Sequence, residues 1–251
     1  MVKIIMHGCN GAMGQVITNL VREMDDIEIV AGIDPTGAKT ADYPVYLNLE
    51  DCTETADVIV DFASAKAVDH LLDYCKDHQM PVVLCTTGLS EAQTAKVKET
   101  AVRTAVLRSA NMSLGVNILL KLVQEAARVL AASGFDVEIV EKHHNRKLDA
   151  PSGTALALAD AVNEAMGNIY HYQYDRSAVH AKRDPKEIGI QSVRGGSIVG
   201  EHDVIFAGTD EVVTLSHTAY SRAIFAKGAL EAAKYLAGKE PGLYTMSDVI
   251  G

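Results

Sequence analysis

The chain alternates short apolar runs with longer stretches in which apolar residues recur every three to four positions. "VKIIM" reads as a buried strand, and "AMGQVITNLVREM" carries Met13, Val16, Ile17 and Leu20 on one helical face. "IEIVAGID" is a second strand, ending in Asp34. Strand, turn, helix, strand is the order of a βαβ unit. The alternation continues through "ADVIVDF", "AVDHLLDYCKDH", "MPVVLCTTG", "SEAQTAKVKETA" with a Ser90 cap, and "TAVLRSAN". It predicts a mostly parallel, doubly wound sheet.

Near Asn111 the pattern changes. A long amphipathic helix places Val116, Leu119, Leu120, Val123, Ala127 and Leu130 on one side, and the strand "FDVEIVEKHH" follows. After a helix over 155–166, "IGIQSVRGGSIVGEHDVIFAGTDEVVTLSHTA" predicts three strands in an antiparallel meander, turning at Gly195-Gly196 and at Gly208-Thr209-Asp210. The chain closes with the helix "RAIFAKGALEAAKYLAG". A nucleotide-type α/β region thus precedes an α+β region, with the boundary near Met112.

The 251 residues suffice for one large domain or two smaller ones. A net charge of −10 argues against a nucleic-acid binder, which needs a basic face. Any anion site must gather its positive charge locally, as Lys142 to Lys147 do. Cys9, Cys52, Cys75 and Cys85 form no C-x-x-C pair, which points to reduced thiols in a cytoplasmic protein. No apolar run approaches the ~20 residues of a membrane span, and the N-terminus has too short a run for a signal peptide.

Candidate chemistry begins at Gly8, Gly11 and Gly14. Gly11 and Gly14 match the second and third glycines of the dinucleotide fingerprint, and Cys9 stands at the first. The loop follows a strand, opens a helix and precedes Asp34 by the expected interval, which favours dinucleotide binding over a plain strand-to-helix turn. Gly8, Cys9, Asn10, Gly11, Ala12, Met13 and Asp34 are the cofactor candidates. A carboxylate at 34 accepts from both ribose hydroxyls of NADH and repels the 2′-phosphate of NADPH. Pro35 supplies no clamp for that phosphate, although Lys39 lies near. NADH is therefore expected to be preferred and NADPH used less well.

The densest chemistry is "EKHHNRKLDAPSGTA", Glu141 to Ala155. Metal binding is not expected: adjacent histidines on an extended chain point to opposite faces, and the i, i+4 pair of a helical zinc site is absent. A solvated basic loop is the plain alternative. Against it stands the helix behind, whose N-terminus carries Ser152, Gly153 and Thr154, residues suited to a carboxylate or phosphate. His or Lys beside such a seat can deliver protons. The residues alone point to a nicotinamide-dependent reductase of a small carboxylate.

Here the chain resembles the 4-hydroxy-tetrahydrodipicolinate reductase family, also called dihydrodipicolinate reductase. Its pattern E-x-H-H-x-x-K-x-D-x-P-S-G-T-A is met at every fixed position: Glu141, His143, His144, Lys147, Asp149, Pro151, Ser152, Gly153, Thr154 and Ala155. "GCNGAMG", "VVLCTTGL", "SANMSLGVN", "SVRGGSIVGEH" and "SRAIFAKGAL" follow in family order along nearly the whole chain. The resemblance implies NAD(P)H-dependent reduction of a cyclic dicarboxylate in diaminopimelate and lysine synthesis. It implies His143 as proton donor and acceptor, Lys147 as proton donor, His144 as a substrate contact, and Gly153 with Thr154 as a carboxylate seat. Cys85, Thr86 and Thr87, with Ser109, Ala110, Asn111 and Met112, would line the nicotinamide and ribose side. The chain departs from the family at Cys85 (usually Gly), Met112 (usually Phe) and Ala63 (usually Thr).

The implied architecture is a Rossmann-like α/β domain over 1–112 and 222–251. An α+β substrate-binding and tetramerisation domain with an open mixed sheet would span 113–221, assembling a homotetramer. Two other readings share some of these features. A homoserine or diaminopimelate dehydrogenase would lack the His-His-x-x-Lys segment, and an NAD(H)-sensing module would bind cofactor without turnover.

Overall fold

A computed structural model describes residues 1–251. In chain order the elements are β1 (Val2–His7), α1 (Ala12–Val21), β2 (Ile27–Ile33), β3 (Val45–Tyr46), β4 (Val58–Asp61), α2 (Val68–His78), β5 (Val82–Leu84), α3 (Glu91–Ala101) and β6 (Ala105–Leu107). Then come α4 (Leu114–Val129), β7 (Asp136–His143), α5 (Gly153–Ala165), β8 (His171–Gln173), β9 (Glu187–Arg194), β10 (Gly200–Ala207) and β11 (Val212–Ala219). The chain ends with α6 (Ala223–Leu236), β12 (Gly242–Tyr244) and α7 (Met246–Ile250). It forms two compact units, Met1–Leu114 with Ala223–Gly251, and Gly115–Arg222.

The first unit is a seven-stranded sheet, ordered β12-β6-β5-β4-β1-β2-β3, in which every pair is parallel. A parallel sheet is covered on both faces, so its strands are apolar on both. In β1, Ile4 and Met6 pack into the core with Ile17 of α1 and Ala229 and Leu230 of α6. Ile5 packs on the other side with Leu71 and Leu72 of α2 and Val97 of α3. The Ser90 cap is present as a full capping box with Gln93.

One irregularity steers this unit. The β1–β2 register slips after Ile4, which pairs with Ile29 while Ile5 pairs with Ala31, leaving Val30 as a bulge. The slip moves β2 side chains to the opposite face. Ile27 and Ile29 therefore pack with α1 and α6, but Ala31 and Ile33 pack on the α2/α3 side.

The second unit is a five-stranded mixed sheet, ordered β11-β10-β7-β9-β8. The apolar faces of α4 (Leu119, Val123, Ala127) and α5 (Leu158, Ala159, Val162) cover one side of it, against Val137, Ile139, Val204 and Phe206. Phe206 is fully buried.

Two sequence expectations fail. The meander is not formed: β9 and β10 are not neighbours, because β7 lies between them, parallel to β9 and antiparallel to β10. The segment 195–199 is long enough to step over one strand, about 9.5 Å at usual strand spacing. The step gives β7 a hydrogen-bonded partner on both edges. Only β10 and β11 form the expected hairpin. Nor does the chain close with α6: β12 adds a parallel partner to β6, and α7 follows. At three residues, β12 is too short for periodicity to reveal. A smaller difference is that α5 starts at Gly153, so Thr154 sits in its first turn.

Candidate active site

Each unit carries one part of the candidate machinery. In the first unit, β1 runs into the glycine loop at the point where the sheet order reverses between β4 and β2. Ligands of doubly wound sheets bind at this switch point. Gly8 has φ +82°, and a Cβ there would lie 2.9 Å from the Phe62 carbonyl oxygen. A Cβ on Gly14 would lie 2.4 Å from the carbonyl oxygens of Gly8 and Cys9, so α1 packs directly on the turn. Gly11 caps α1 without a side-chain hydrogen bond, which leaves the first turn suited to an anion. Ala12 and Met13 begin that turn. Cys9 is buried against Gly32, and its thiol is pushed up to about 11, chiefly by burial.

Asp34 is nearly buried. Its Oδ1 accepts from Thr36 N at 3.0 Å and Thr36 Oγ1 at 2.7 Å, and its Oδ2 from Asn10 N at 3.3 Å. Burial would raise its pKa, but these bonds outweigh burial and hold it below the usual range. Asn10 Nδ2 donates to Thr36 Oγ1 and Ala38 O, and Asn10 Oδ1 accepts from Thr40, which ties the glycine loop to the chain after β2. A cavity of about 370 Å³ opens beside them, lined by His7, Gly8, Gly11, Asp34, Pro35 and Phe62 among others.

Further along the sheet, the Cys85 side chain packs into the α1/α6 core while its N–H donates to Asp61 O at 3.0 Å. The backbone geometry needs no glycine there. The Thr86 hydroxyl is buried without a partner, and Thr87 is exposed. Ser109, Ala110 and Asn111 are at least partly accessible, whereas Met112 is buried in the core. Its carbonyl oxygen lies 1.6 Å from where a Gly228 Cβ would stand.

In the second unit the site grows from the end of β7. Because β7 lies between β9 and β10, Glu141 stands beside Ser192 on one edge and His202 on the other, and His143 stands beside Arg194. Glu141 is completely buried. Its Oε2 accepts from His143 Nδ1 at 2.6 Å and Arg194 Nη1 at 2.8 Å, and its Oε1 from Arg194 Nη2 at 2.6 Å and Ser152 N at 3.1 Å. Burial would raise its pKa, but hydrogen bonds from Arg194, Ser192 and His143 outweigh burial and hold it at about 2.

Ser152 caps α5, accepting from Ala155 N at 3.1 Å, and its hydroxyl meets His202 Nε2 at 2.9 Å. Burial lowers the His202 pKa to about 4, so the ring is neutral at neutral pH. It packs edge-on to His143, with ring centres 5.2 Å apart. Gly200 admits His143: a Cβ there would lie 3.1 Å from its Nε2. Lys147 Nζ pairs with Asp149 at 2.9 Å. The His144 pKa is lowered by burial first, then by Arg146, His143, Arg222 and Lys147. Open space stands where a Gly153 Cβ would be, while Thr154 lies one residue on in the same turn.

His143, His144, Lys147, Gly153 and Thr154 therefore share one end of the second unit. Sequence reasoning assigned no role to Glu141, Arg194 or His202. All three lie in recognisable motifs, but partners 53 and 61 positions from Glu141 leave no local signal. The His7–Asp61 pair, Nδ1 to Oδ1 at 2.7 Å between neighbouring strands, was missed for the same reason.

Two family models together span almost the whole chain: "Dihydrodipicolinate reductase, N-terminus" over residues 2–112 and "Dihydrodipicolinate reductase, C-terminus" over 115–250. The chain is 52% identical to the 4-hydroxy-tetrahydrodipicolinate reductase of Caldanaerobacter subterraneus subsp. tengcongensis, covering 100% of this chain and 98% of that one. It is 47% identical to the enzyme of that name from Clostridium novyi, with the same coverage. Among solved structures, the dipicolinate-bound dihydrodipicolinate reductase from Paenisporosarcina sp. TG-14 aligns with TM-score 0.80 and 26% identity, over 98% of this chain and 97% of that one.

Proposed function

The chain belongs to the dihydrodipicolinate reductase family, and from that membership we infer its reaction and the work of its residues. It is an oxidoreductase that reduces 4-hydroxy-tetrahydrodipicolinate to tetrahydrodipicolinate with loss of water, a step of diaminopimelate and lysine biosynthesis. The observation that carries this reading is the His143–Glu141 pair beside the Ser152–Thr154 turn, a proton carrier next to a carboxylate seat.

The first unit fits a nicotinamide dinucleotide, because Gly8 and Gly14 exclude any Cβ, the α1 N-terminus is open and a charged Asp34 stands at the end of β2. When bound in reduced form, that cofactor supplies a hydride. Gly8, Cys9, Asn10, Gly11, Ala12 and Met13 would hold its pyrophosphate and Asp34 a ribose. Cys85, Thr86, Thr87 and Ser109 to Met112 would line its nicotinamide side, where the unpartnered Thr86 hydroxyl is available. NADH is preferred over NADPH, since the Asp34 carboxylate repels a 2′-phosphate. A higher kcat/KM for NADPH would overturn that preference.

In the second unit, His143 exchanges a proton through Nε2, because Nδ1 is committed to Glu141. Lys147 is the second donor, oriented by Asp149. Gly153 and Thr154 hold one carboxylate, and His144 contacts the substrate. The other sheet face and edge strand β11, with Val193 and Val212 exposed, suit burial against further copies in a homotetramer. Four free cysteines suit a cytoplasmic setting.

The test is NADH oxidation with substrate freshly made from aspartate semialdehyde and pyruvate. Wild type should turn over. His143→Gln should lose about 10²–10⁴ in kcat, and Lys147→Ala should also fall steeply, with NADH binding retained in both. NADH binding without turnover in the wild type would favour a sensing module instead.

A further inference from the structure

We propose that Glu141, clamped by Arg194, is the positioning residue that joins the proton carrier His143 to the carboxylate seat at Ser152. The proposal rests on the reading of His143 as proton carrier and adds what aims it. Glu141 is inaccessible to solvent and to any substrate, so it acts only through its neighbours. Besides its bond to Ser192, four hydrogen bonds divide between its two oxygens. Oε2 takes His143 Nδ1 and one arm of Arg194, and Oε1 takes Ser152 N and the other arm. One rigid carboxylate therefore sets the spacing between a histidine ring and the first turn of α5.

Arg194 keeps that carboxylate in place. Its two arms bind Glu141 in the fork geometry that suits a carboxylate, and they also donate to Asp149 O and Val193 O, each at 2.7 Å. Asp149 is the partner of Lys147, so the segment bearing the second proton donor is tied to the same guanidinium. On the far side, His202 holds the Ser152 hydroxyl and packs against the His143 ring. A carboxylate on Nδ1 keeps the neutral imidazole protonated there and leaves Nε2 for the reacting proton, the logic of the carboxylate–histidine pair in hydrolases.

The donor inventory predicts what Glu141→Gln does. Arg194 and the Ser152 N–H can only donate, whereas a histidine nitrogen and the Ser192 hydroxyl can donate or accept. With the glutamine amide nitrogen in the place of Oε2, its N–H meets His143 Nδ1, which reverses the tautomer and puts the neutral ring's proton on Nε2. Histidine-selective 15N NMR of the whole enzyme reads this directly, a signature that a merely structural role would leave unmoved.

Expected for E141Q are the reversed tautomer, kcat lowered about ten-fold or more, and NADH binding and substrate KM near wild type. Adding E141Q to H143Q should cost almost nothing further, because both act on one ring. If E141Q fails to fold, E141Q/R194Q replaces the buried charge pair with two amides and is judged by the same kinetics. Wild-type kcat in a folded E141Q or in the double variant overturns the proposal. So does a full multiplicative loss when E141Q is combined with H143Q. Wild-type turnover in H143Q alone has a different meaning: it removes the proton-carrier reading itself.

Discussion

Replacing Arg194 by methionine keeps most of the side chain's length and removes its charge. Four hydrogen bonds go with the guanidinium, two to the Glu141 carboxylate and two to the carbonyls of Asp149 and Val193. The carboxylate stays behind, fully buried, with His143, Ser152 and Ser192 as its remaining hydrogen-bond partners. Removing one partner of a buried ion pair typically costs about 3–5 kcal/mol. In a chain of this size that lowers Tm by roughly 10 °C. The loss should also depend on pH. In the wild type the Glu141 pKa falls from 4.5 to about 2, so its ionisation favours the folded state by about 3 kcal/mol above pH 4.5. In Arg194→Met the sign reverses, because an unpaired buried carboxylate prefers its proton. Urea unfolding followed by circular dichroism between pH 7 and pH 4 should show a wide gap between the two proteins at pH 7 that closes as Glu141 is protonated. A gap below ~1 kcal/mol at pH 7, the scale of a surface pair, or a gap that stays constant down to pH 4, would refute the reasoning.

The wild type should itself lose stability in acid in two steps. The His202 pKa is depressed to about 4, so its contribution is complete above pH 6.5 and lost as pH falls toward 4, and that of Glu141 is lost from pH 4.5 toward 2. Each step is worth about 3 kcal/mol, measurable as a falling Tm, and His202→Gln should remove the upper one. Gly14→Ala pushes a methyl group into two backbone carbonyls and should cost about 1–3 kcal/mol and weaken NADH binding, read by calorimetry. Gly195→Ala meets nothing within 4 Å and should be tolerated within ~0.5 kcal/mol.

The first unit was largely legible in the chain, because local rules govern it. Continuous apolar runs mark strands buried on both faces, stripes mark the helices, and Gly8 to Gly14 marks the turn between them. The Val30 bulge was not legible. "IEIVAGID" reads as an unbroken strand, and only pairing with β1 shows that Ile33 faces away from Ile29. In the second unit, "EKHHNRKLDAPSGTA" stands out as a candidate site by residue type, since it sets histidines and a lysine directly before a Ser-Gly-Thr helix start.

By itself, then, the sequence determined the parallel α/β plan and singled out the candidate reacting groups, both from contiguous residues. Strand order in the second sheet was decided by tertiary structure. Alternation says which face of a strand is apolar but not which strand lies beside it, and a meander satisfies β9, β10 and β11 locally just as well. Inserting β7 between β9 and β10 pairs both of its edges and brings Arg194 and His202 to Glu141. The buried clamp behind His143 exists only because that longer-range pairing prevails.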